Sequence, residues 1–287
     1  MFIEDIPMRV PWLLLLTLIS STAAAEVLKN LSYGPDKKQS LDVYIPEGAH
    51  NAPVIFMVHG GGWRYGDKNG EGIVRRKVAR WLPLGWIFVS ANYRLVPNAD
   101  PLVQAEDVAR ALAFSQSQAA SWGGDPGKFV VMGHSSGGHL VSLLAVQPSL
   151  AFKLGAKPWL ATVSLDSAAF DVVQIMRSAT HPGLFDRAFG TDEALWIAAS
   201  PSQQLSSEST PILAVCSTRR GDQPCIQAHD FAVKAGSKQV RVEVLEQDLS
   251  HSAVNNRLGL PGGYTDAVEA FITSLDATLQ FTSQPQR

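Results

Sequence analysis

The sequence predicts an α/β fold with a mostly parallel central sheet and helices on both of its faces. Two observations lead to this class. Six short apolar runs, rich in β-branched and aromatic residues and bounded by turn residues, are typical of strands buried on both faces. Stretches with apolar residues at helical spacing separate these runs. Strands that alternate with helices are the pattern of a parallel sheet whose crossovers are helical.

The elements follow in chain order. Residues 31–46 alternate apolar and polar side chains and predict a short antiparallel hairpin at one edge of the sheet. Buried strands are predicted at 54–58, 86–90, 129–132, 160–165, 212–216 and 240–245. Helices are predicted at 74–82, 101–122, 140–144 and 226–235, followed by an amphipathic helix at 268–279.

Composition is typical of a globular protein with one large core. Of the 287 residues, 46% are hydrophobic and 17% are charged, and the formal net charge is −2. Without a basic run or a basic balance, we expect no nucleic-acid partner. The elements predict one domain over 26–287. Its longest connection, 165–211, exceeds what a crossover helix needs, so we expect it to form one or two short helices of a partial cap.

The first 25 residues have the pattern of a secretory signal. A nearly apolar run at 10–19 follows Arg9 and precedes the small residues Ala23, Ala24 and Ala25. We expect cleavage before Glu26 and export to the periplasm or the medium, with no stable membrane association afterwards. An uncleaved N-terminal anchor is the alternative.

Ser135 lies in the pentapeptide Gly133-His134-Ser135-Ser136-Gly137, which matches G-x-S-x-G. Alone, so short a motif is weak evidence because it carries a risk of chance matches, but this one follows a predicted strand and precedes a predicted helix. In that context the glycines allow a sharp turn that exposes the serine oxygen. The pattern predicts that Ser135 is a nucleophile.

A second glycine-rich element, HGGGW at 59–63, follows the predicted strand 54–58. Backbone N–H groups of such a loop stabilise the oxyanion that forms in acyl transfer, together with the N–H of the residue after the nucleophile. We therefore expect an oxyanion hole made by Gly61, Gly62 and Ser136, with Trp63 as the alternative if the register differs by one residue.

A nucleophilic serine needs a base and an acid that orients the base. Of seven histidines, His251 alone follows the last predicted strand in a loop, which is where the base belongs in this chain order. The acid must then lie between Ser135 and His251. We expect Asp222, which follows the strand 212–216, and keep Asp166 at the end of the preceding strand as the rival.

The two cysteines, Cys216 and Cys225, enclose Asp222. An even count in an exported chain fits one disulfide, which would close the loop that contains the acid. Two unpaired thiols are the alternative.

These motifs, with NYRL at 92–95, resemble the α/β-hydrolase superfamily, near the esterases related to hormone-sensitive lipase, feruloyl esterase and arylformamidase. The resemblance covers nearly the whole of 26–287 and implies an α/β-hydrolase fold and hydrolysis of small or aryl carboxylic esters. One departure from the family is the loop TRRGDQPC at 218–225, in which the sequence before the aspartate does not match the Gly-x-x-Asp pattern usual in the family. No cofactor or metal is implied, and the expected partner is a small ester.

Two other functions compete with this one. The first is hydrolysis of amides or formamides at the same residues, because the HGGGW motif also resembles arylformamidases. The second is a binding protein with an inactive site, which would predict the loss of Ser135, Asp222 or His251. All three residues are present, so an esterase is the favoured interpretation.

Overall fold

The computed structural model describes residues 25–281. The expected signal segment, 1–25, lies outside these residues except for Ala25. An eight-stranded sheet has the order β1-β2-β4-β3-β5-β6-β7-β8. The strands are β1 Glu26–Ser32, β2 Ser40–Ile45, β3 Ala52–Val58, β4 Ile87–Ala91, β5 Gly124–His134, β6 Ala161–Leu165, β7 Ile212–Ser217 and β8 Val242–Gln247.

Eleven α-helices lie in the described part of the chain. They are α1 Glu71–Trp81, α2 Pro101–Gln118, α3 Ser136–Val146, α4 Ser149–Phe152, α5 Val172–Arg177, α6 Leu184–Phe189, α7 Glu193–Ala198, α8 Pro201–Gln204, α9 Pro224–Gly236, α10 His251–Arg257 and α11 Gly263–Thr273. None of them has both the length and the apolar content that crossing a bilayer would require.

The predicted α/β-hydrolase fold is confirmed. β1 and β2 form the expected antiparallel edge, and β3 to β8 pair in parallel. The central strands are buried on both faces because successive side chains point to opposite sides. Val54, Phe56 and Val58 enter one apolar core, whereas Ile55 and Met57 enter the other.

Three local expectations differ from the structure. The first hairpin strand lies earlier, at Glu26–Ser32. The final helix ends at Thr273 rather than at 279, although Leu279 beyond it is still buried in the core. The connection 166–211 contains four short helices, α5 to α8, rather than one or two. Apolar spacing located these segments, but it does not mark where hydrogen bonding ends.

Parallel pairing determines where the functional residues meet. The carboxyl ends of β3, β5, β6, β7 and β8 all face one edge of the sheet, and ligands of open α/β sheets bind in the crevice at that edge. The segments that directly follow these strands contain HGGGW, Ser135, Asp166, Asp222 and, at the start of α10, His251.

Candidate active site

Ser135 lies on a strained turn between β5 and α3. Its φ is 55° and its ψ is −120°, a conformation that is costly for a residue with a side chain. The turn is held by neighbours on both sides: the Ser135 N–H donates to the Leu165 carbonyl at 2.8 Å, at the end of β6. A Cβ on Gly137 would lie 2.4 Å from the His59 carbonyl oxygen. Only glycine at 137 allows the glycine-rich loop to pack directly on the serine turn.

His251 meets the serine. Its Nε2 lies 3.0 Å from Ser135 Oγ, the distance at which an imidazole can accept the hydroxyl proton. The residue was expected in a loop, but it is the first residue of α10, whose N-cap is Ser250. About 40% of the His251 side chain is exposed, so the reactive edge of the ring is open to a substrate.

Asp166, and not Asp222, is the carboxylate that hydrogen-bonds the His251 ring. Asp166 Oδ2 accepts a hydrogen bond from His251 Nδ1 at 2.6 Å, and its Oδ1 accepts one from the Ser217 N–H at 2.8 Å. The Asp166 side chain is fully buried at the end of β6. Its φ of 53° is unusual for a residue other than glycine.

Asp222, the acid expected from the sequence, lies against an arginine instead of the imidazole. Its carboxylate pairs with both Arg220 Nε, at 2.8 Å, and Arg220 Nη2. Among the hydrogen bonds of residues 25–281, none joins Asp222 to His251. Chain order permits either carboxylate, and the rival position after β6 is the one from which a carboxylate reaches the ring. Asp222 still lies at the wall of the same cavity.

The environment of Asp166 favours its charged form. Burial opposes ionisation, but the hydrogen bond from His251, the positive charge of Arg220 and the Ser217 N–H outweigh it. The pKa of Asp166 is therefore held below its usual value. A carboxylate that stays ionised keeps the proton on His251 Nδ1 and leaves Nε2 free to act as a base.

The glycine-rich loop presents unpaired donors beside Ser135. Within the described chain, the backbone N–H groups of Gly61, Gly62 and Ser136 have no protein acceptor, and these residues line the cavity that contains Ser135. The Trp63 N–H also has no acceptor among residues 25–281, so Trp63, the alternative oxyanion-hole donor, has a free N–H as well.

Trp63 anchors this loop to the core. Its carbonyl accepts from Gln104 Nε2 at 2.9 Å and from the Val96 N–H at 3.0 Å. Its indole N–H donates to His139 Nδ1 at 3.1 Å, and its ring packs against Phe185 and Phe189 of α6. These contacts hold the loop in its conformation without a ligand, and oxyanion stabilisation requires donors that are positioned in advance.

His134, for which the sequence predicts no catalytic role, contacts His251. Its Nε2 donates to the His251 carbonyl at 3.1 Å, and the two rings lie 4.7 Å apart between centroids. Burial, with a smaller contribution from the charge of His251, lowers the pKa of His134 to about 3. His134 therefore remains neutral near pH 7 and ties the start of α10 to β5.

The cavity above Ser135 has a volume of about 490 Å³, within the range of small-molecule sites. Pro182, Leu184 and Phe185 of the 166–211 connection form one wall. Within 25–281, no group of three or more His, Cys, Asp or Glu side chains is arranged to hold a metal ion.

A disulfide joins Cys216 at the end of β7 to Cys225 in α9, with the two Cα atoms 5.2 Å apart. It closes the loop that contains Arg220 and Asp222. The predicted pairing of the two cysteines is confirmed. The carboxylate that hydrogen-bonds His251, that of Asp166, lies outside the loop that the disulfide closes.

The arrangement of strand loops around Ser135 defines an α/β hydrolase. Residues 41–233 match the BD-FAE family, and the chain belongs to this family. It is 29% identical over 82% of its length to a probable carboxylic ester hydrolase, LipM, of Mycobacterium tuberculosis, covering 57% of that protein. It is 31% identical over 58% of its length to the arylacetamide deacetylase of Bos taurus, covering 46% of that protein. The chain spans about half the length of the curated relatives it matches.

Solved structures share the fold. A truncated carbohydrate esterase from gut microbiota superimposes with a TM-score of 0.75 at 17% identity, over 90% of this chain and 99% of that one. Esterase 2 of Thermogutta terrifontis, solved after phosphonylation by sarin, has a TM-score of 0.67 at 19% identity, over 89% of this chain and 96% of that one.

Proposed function

We propose that the protein is a serine carboxylic-ester hydrolase that acts on small or aryl esters. One observation carries the proposal: Ser135 Oγ, His251 Nε2, His251 Nδ1 and Asp166 Oδ2 form a continuous hydrogen-bonded chain with distances of 3.0 and 2.6 Å. The names of the curated relatives, a carboxylic ester hydrolase and a deacetylase, support the same chemistry.

The proposed reaction is acyl transfer. Ser135 Oγ attacks the ester carbonyl while His251 Nε2 takes its proton, and Asp166 stabilises the imidazolium that forms. The N–H groups of Gly61, Gly62 and Ser136 bind the oxyanion of the tetrahedral intermediate. His251 then protonates the leaving alcohol and the acyl-enzyme remains. A water molecule, deprotonated by His251, attacks the acyl-enzyme and releases the acid and Ser135.

A second candidate is hydrolysis of an amide or formamide. The relative named arylacetamide deacetylase favours it, since the same three residues can protonate an amine as well as an alcohol. We place it second because the names of several other curated relatives are those of esterases, methylesterases or ester hydrolases. The complete chemical arrangement at Ser135 argues against a binding protein without activity.

Export forms part of the same proposal. A disulfide is the chemistry of oxidising compartments, and residues 1–25 have the signal pattern described above. N-terminal sequencing of the protein recovered from outside the cytoplasm is expected to begin at Glu26. A chain that retains residues 1–25 there would overturn the cleavage.

The first experiment measures hydrolysis of p-nitrophenyl acetate, butyrate, octanoate and palmitate, beside the matching anilides. We expect kcat/KM to fall as the acyl chain outgrows the cavity, esters to exceed anilides, and Ser135→Ala to abolish turnover. A fluorophosphonate should add covalently to the wild type and not to Ser135→Ala. No turnover and no labelling of the wild type would refute the proposal, and anilides turned over faster than esters would favour the amide hydrolase.

A further inference from the structure

Arg220 lies between two carboxylates at the back of the site. Its Nε and Nη2 pair with Asp222, as described above. Its Nη1 donates to the Asp166 carbonyl at 2.9 Å and lies 3.2 Å from Asp166 Oδ2. The same Nη1 lies 3.2 Å from His251 Nδ1. Because Nδ1 already donates its proton to Asp166, this last approach is a contact between a positive charge and the ring rather than a hydrogen bond.

The loop holds this guanidinium in place. The disulfide closes 216–225, the Thr218 N–H donates to the Gln247 carbonyl at 3.0 Å, and the Gln223 N–H donates to the Arg220 carbonyl at 3.2 Å. Only 19% of the Arg220 side chain is exposed. Its neighbour Arg219 instead pairs with Asp248 at the surface and is 57% exposed. Two adjacent arginines thus differ completely in environment.

We propose that Arg220 is a positioning residue for the acyl-transfer reaction, which holds the Asp166 main chain and sets the charge beside His251, and that Asp222 holds and partly neutralises Arg220. This inference rests on the proposed function. In this inference Asp222 acts on the imidazole through Arg220 and not by direct contact. The disulfide then has a role at the site, because it closes the loop that contains both residues.

The two charges act on the base in opposite directions. A cation beside the ring opposes the positive charge of the imidazolium, whereas an anion behind that cation weakens this effect. The other ionisable groups that face His251 are Asp166 from β6 and His134 from β5. Lys77 of α1 lies near His134, and Tyr264 of α11 lies near Asp166. All four remain in the variants below, so their contributions cancel in the comparison.

The test is the pH profile of kcat/KM for p-nitrophenyl acetate. In Arg220→Gln the acid limb should move to higher pH by about one unit, and the plateau should fall about tenfold as Asp166 loses its support. In Asp222→Asn the limb should move to lower pH. Arg220→Lys keeps the charge and should keep the limb near that of the wild type while lowering the plateau. Arg219→Gln and Asp248→Asn are matched controls that should leave the profile unchanged.

The opposite shifts are a signature that a merely structural role would not produce. Proton NMR offers a second readout, because the far-downfield signal of the His251 Nδ1 proton should change in Arg220→Gln and not in Arg219→Gln. If Arg220→Gln does not fold, as judged by circular dichroism, Asp222→Asn and Arg220→Lys still decide the matter. Shifts of the same sign in Arg220→Gln and Asp222→Asn, or an Asp222→Asn limb that does not move, would overturn the inference.

Failure of the inference is distinguishable from failure of the proposed function. If the wild type turns over the ester and Ser135→Ala does not, the proposed function stands whatever the Arg220 profiles show. If the wild type shows no turnover, or Ser135→Ala matches it, the proposed function fails, and the role of Arg220 fails with it.

Discussion

At the residue scale, backbone strain marks the site. Three residues other than glycine with positive φ, Trp63, Ser135 and Asp166, lie around one cavity. Strained residues persist where the surrounding structure over-determines them, and they cluster at functional sites. Each of these three is clamped: Trp63 through its carbonyl, Ser135 through its N–H and Asp166 through both its carboxylate and its carbonyl. The strain therefore supports the assignment of Asp166.

Replacing Asp166 tests that assignment. Asp166→Asn keeps the shape but loses the charge that stabilises the imidazolium and selects the tautomer, so we expect kcat for p-nitrophenyl acetate to fall roughly 10³- to 10⁴-fold. Asp222→Asn should cost at most about tenfold under the same assay at its pH plateau, because Asp222 does not contact His251. The reverse order of the two losses would restore Asp222 as the acid.

At the element scale, the position of the glycine-rich loop depends on close contact between two backbone segments. The loop after β3 rests on the turn after β5, and no side chain separates them: a Cβ on Gly137 would meet the carbonyl oxygens of His59 and Val58 at 2.4 and 2.5 Å. The loop therefore presents its N–H groups beside Ser135 only as long as position 137 is glycine.

Gly137→Ala is expected to push this loop away from Ser135. We expect a loss of about 2–3 kcal/mol in the free energy of unfolding, measured in urea, and a large fall in kcat/KM. The matched control is Gly236→Ala at the end of α9, where an added Cβ meets nothing within 4 Å. A Gly137→Ala protein with unaltered stability and activity would contradict this account of the loop.

Helix α1 supports the helix that begins with His251. Lys77 Nζ is buried and donates to the Asn255 carbonyl and to Asn255 Oδ1, both at 2.8 Å, near the end of α10. Arg76 Nη1 donates to the next carbonyl, that of Asn256, at 2.6 Å. These contacts satisfy carbonyls at the carboxyl end of the helix, which have no partner within it.

The pH dependence of stability follows from Lys77. Burial lowers the pKa of Lys77 from 10.5 to about 7. Below pH 7 the amine is protonated in both states, whereas between about pH 7 and 10 the unfolded chain holds a proton that the folded protein does not. The free energy of unfolding should therefore rise with pH in that window, by at most about 1.4 kcal/mol per unit, relative to Lys77→Met.

Denaturation series at several pH values measure this difference. The exposed Lys234→Met on α9 is the control, and it should show no slope relative to the wild type. A flat difference between wild type and Lys77→Met from pH 7 to about 10 would mean that Lys77 stays charged, held by the carbonyls around it.

At the scale of the whole molecule, the 166–211 connection and the disulfide complete the site. Pro182, Leu184 and Phe185, at and just before α6, line the cavity that contains Ser135, and the aromatic rings of α6 pack on Trp63. The disulfide joins the end of β7 to α9, nine residues apart in sequence. It restricts the unfolded chain and at the same time limits the motion of the Arg220 loop.

Reduction of the disulfide should destabilise the protein by about 2–3 kcal/mol, the value that chain entropy gives for a loop of this length. Urea denaturation with and without dithiothreitol measures the change. The double variant Cys216→Ala/Cys225→Ser has no disulfide, so its free energy of unfolding should equal that of the reduced wild type both with and without dithiothreitol. Equal stability of oxidised and reduced wild type would show that the bond contributes nothing to the fold.

Local pattern was enough for much of this protein. The alternation of strands and helices, the placement of Ser135 and of the HGGGW loop after strands, and the position of His251 after the last strand all depend on short-range rules of backbone geometry. The end of the last helix at 273 and the helix limits within 166–211 could not be predicted from local pattern, because tertiary packing determines where a helix ends.

The sequence by itself determined the α/β fold. It also predicted Ser135 and the glycine-rich loop, since a sharp turn after a strand needs glycines within a few positions, and it predicted His251 from its place after the last strand. Only the tertiary structure shows which of Asp166 and Asp222 contacts the His251 ring. Both follow neighbouring parallel strands, so they reach the same edge of the sheet, and the choice depends on a few ångströms of side-chain direction. The same holds for Arg219 and Arg220: their order in the chain is no guide to which of them lies behind the imidazole, because that depends on how the disulfide-closed loop folds back on β6.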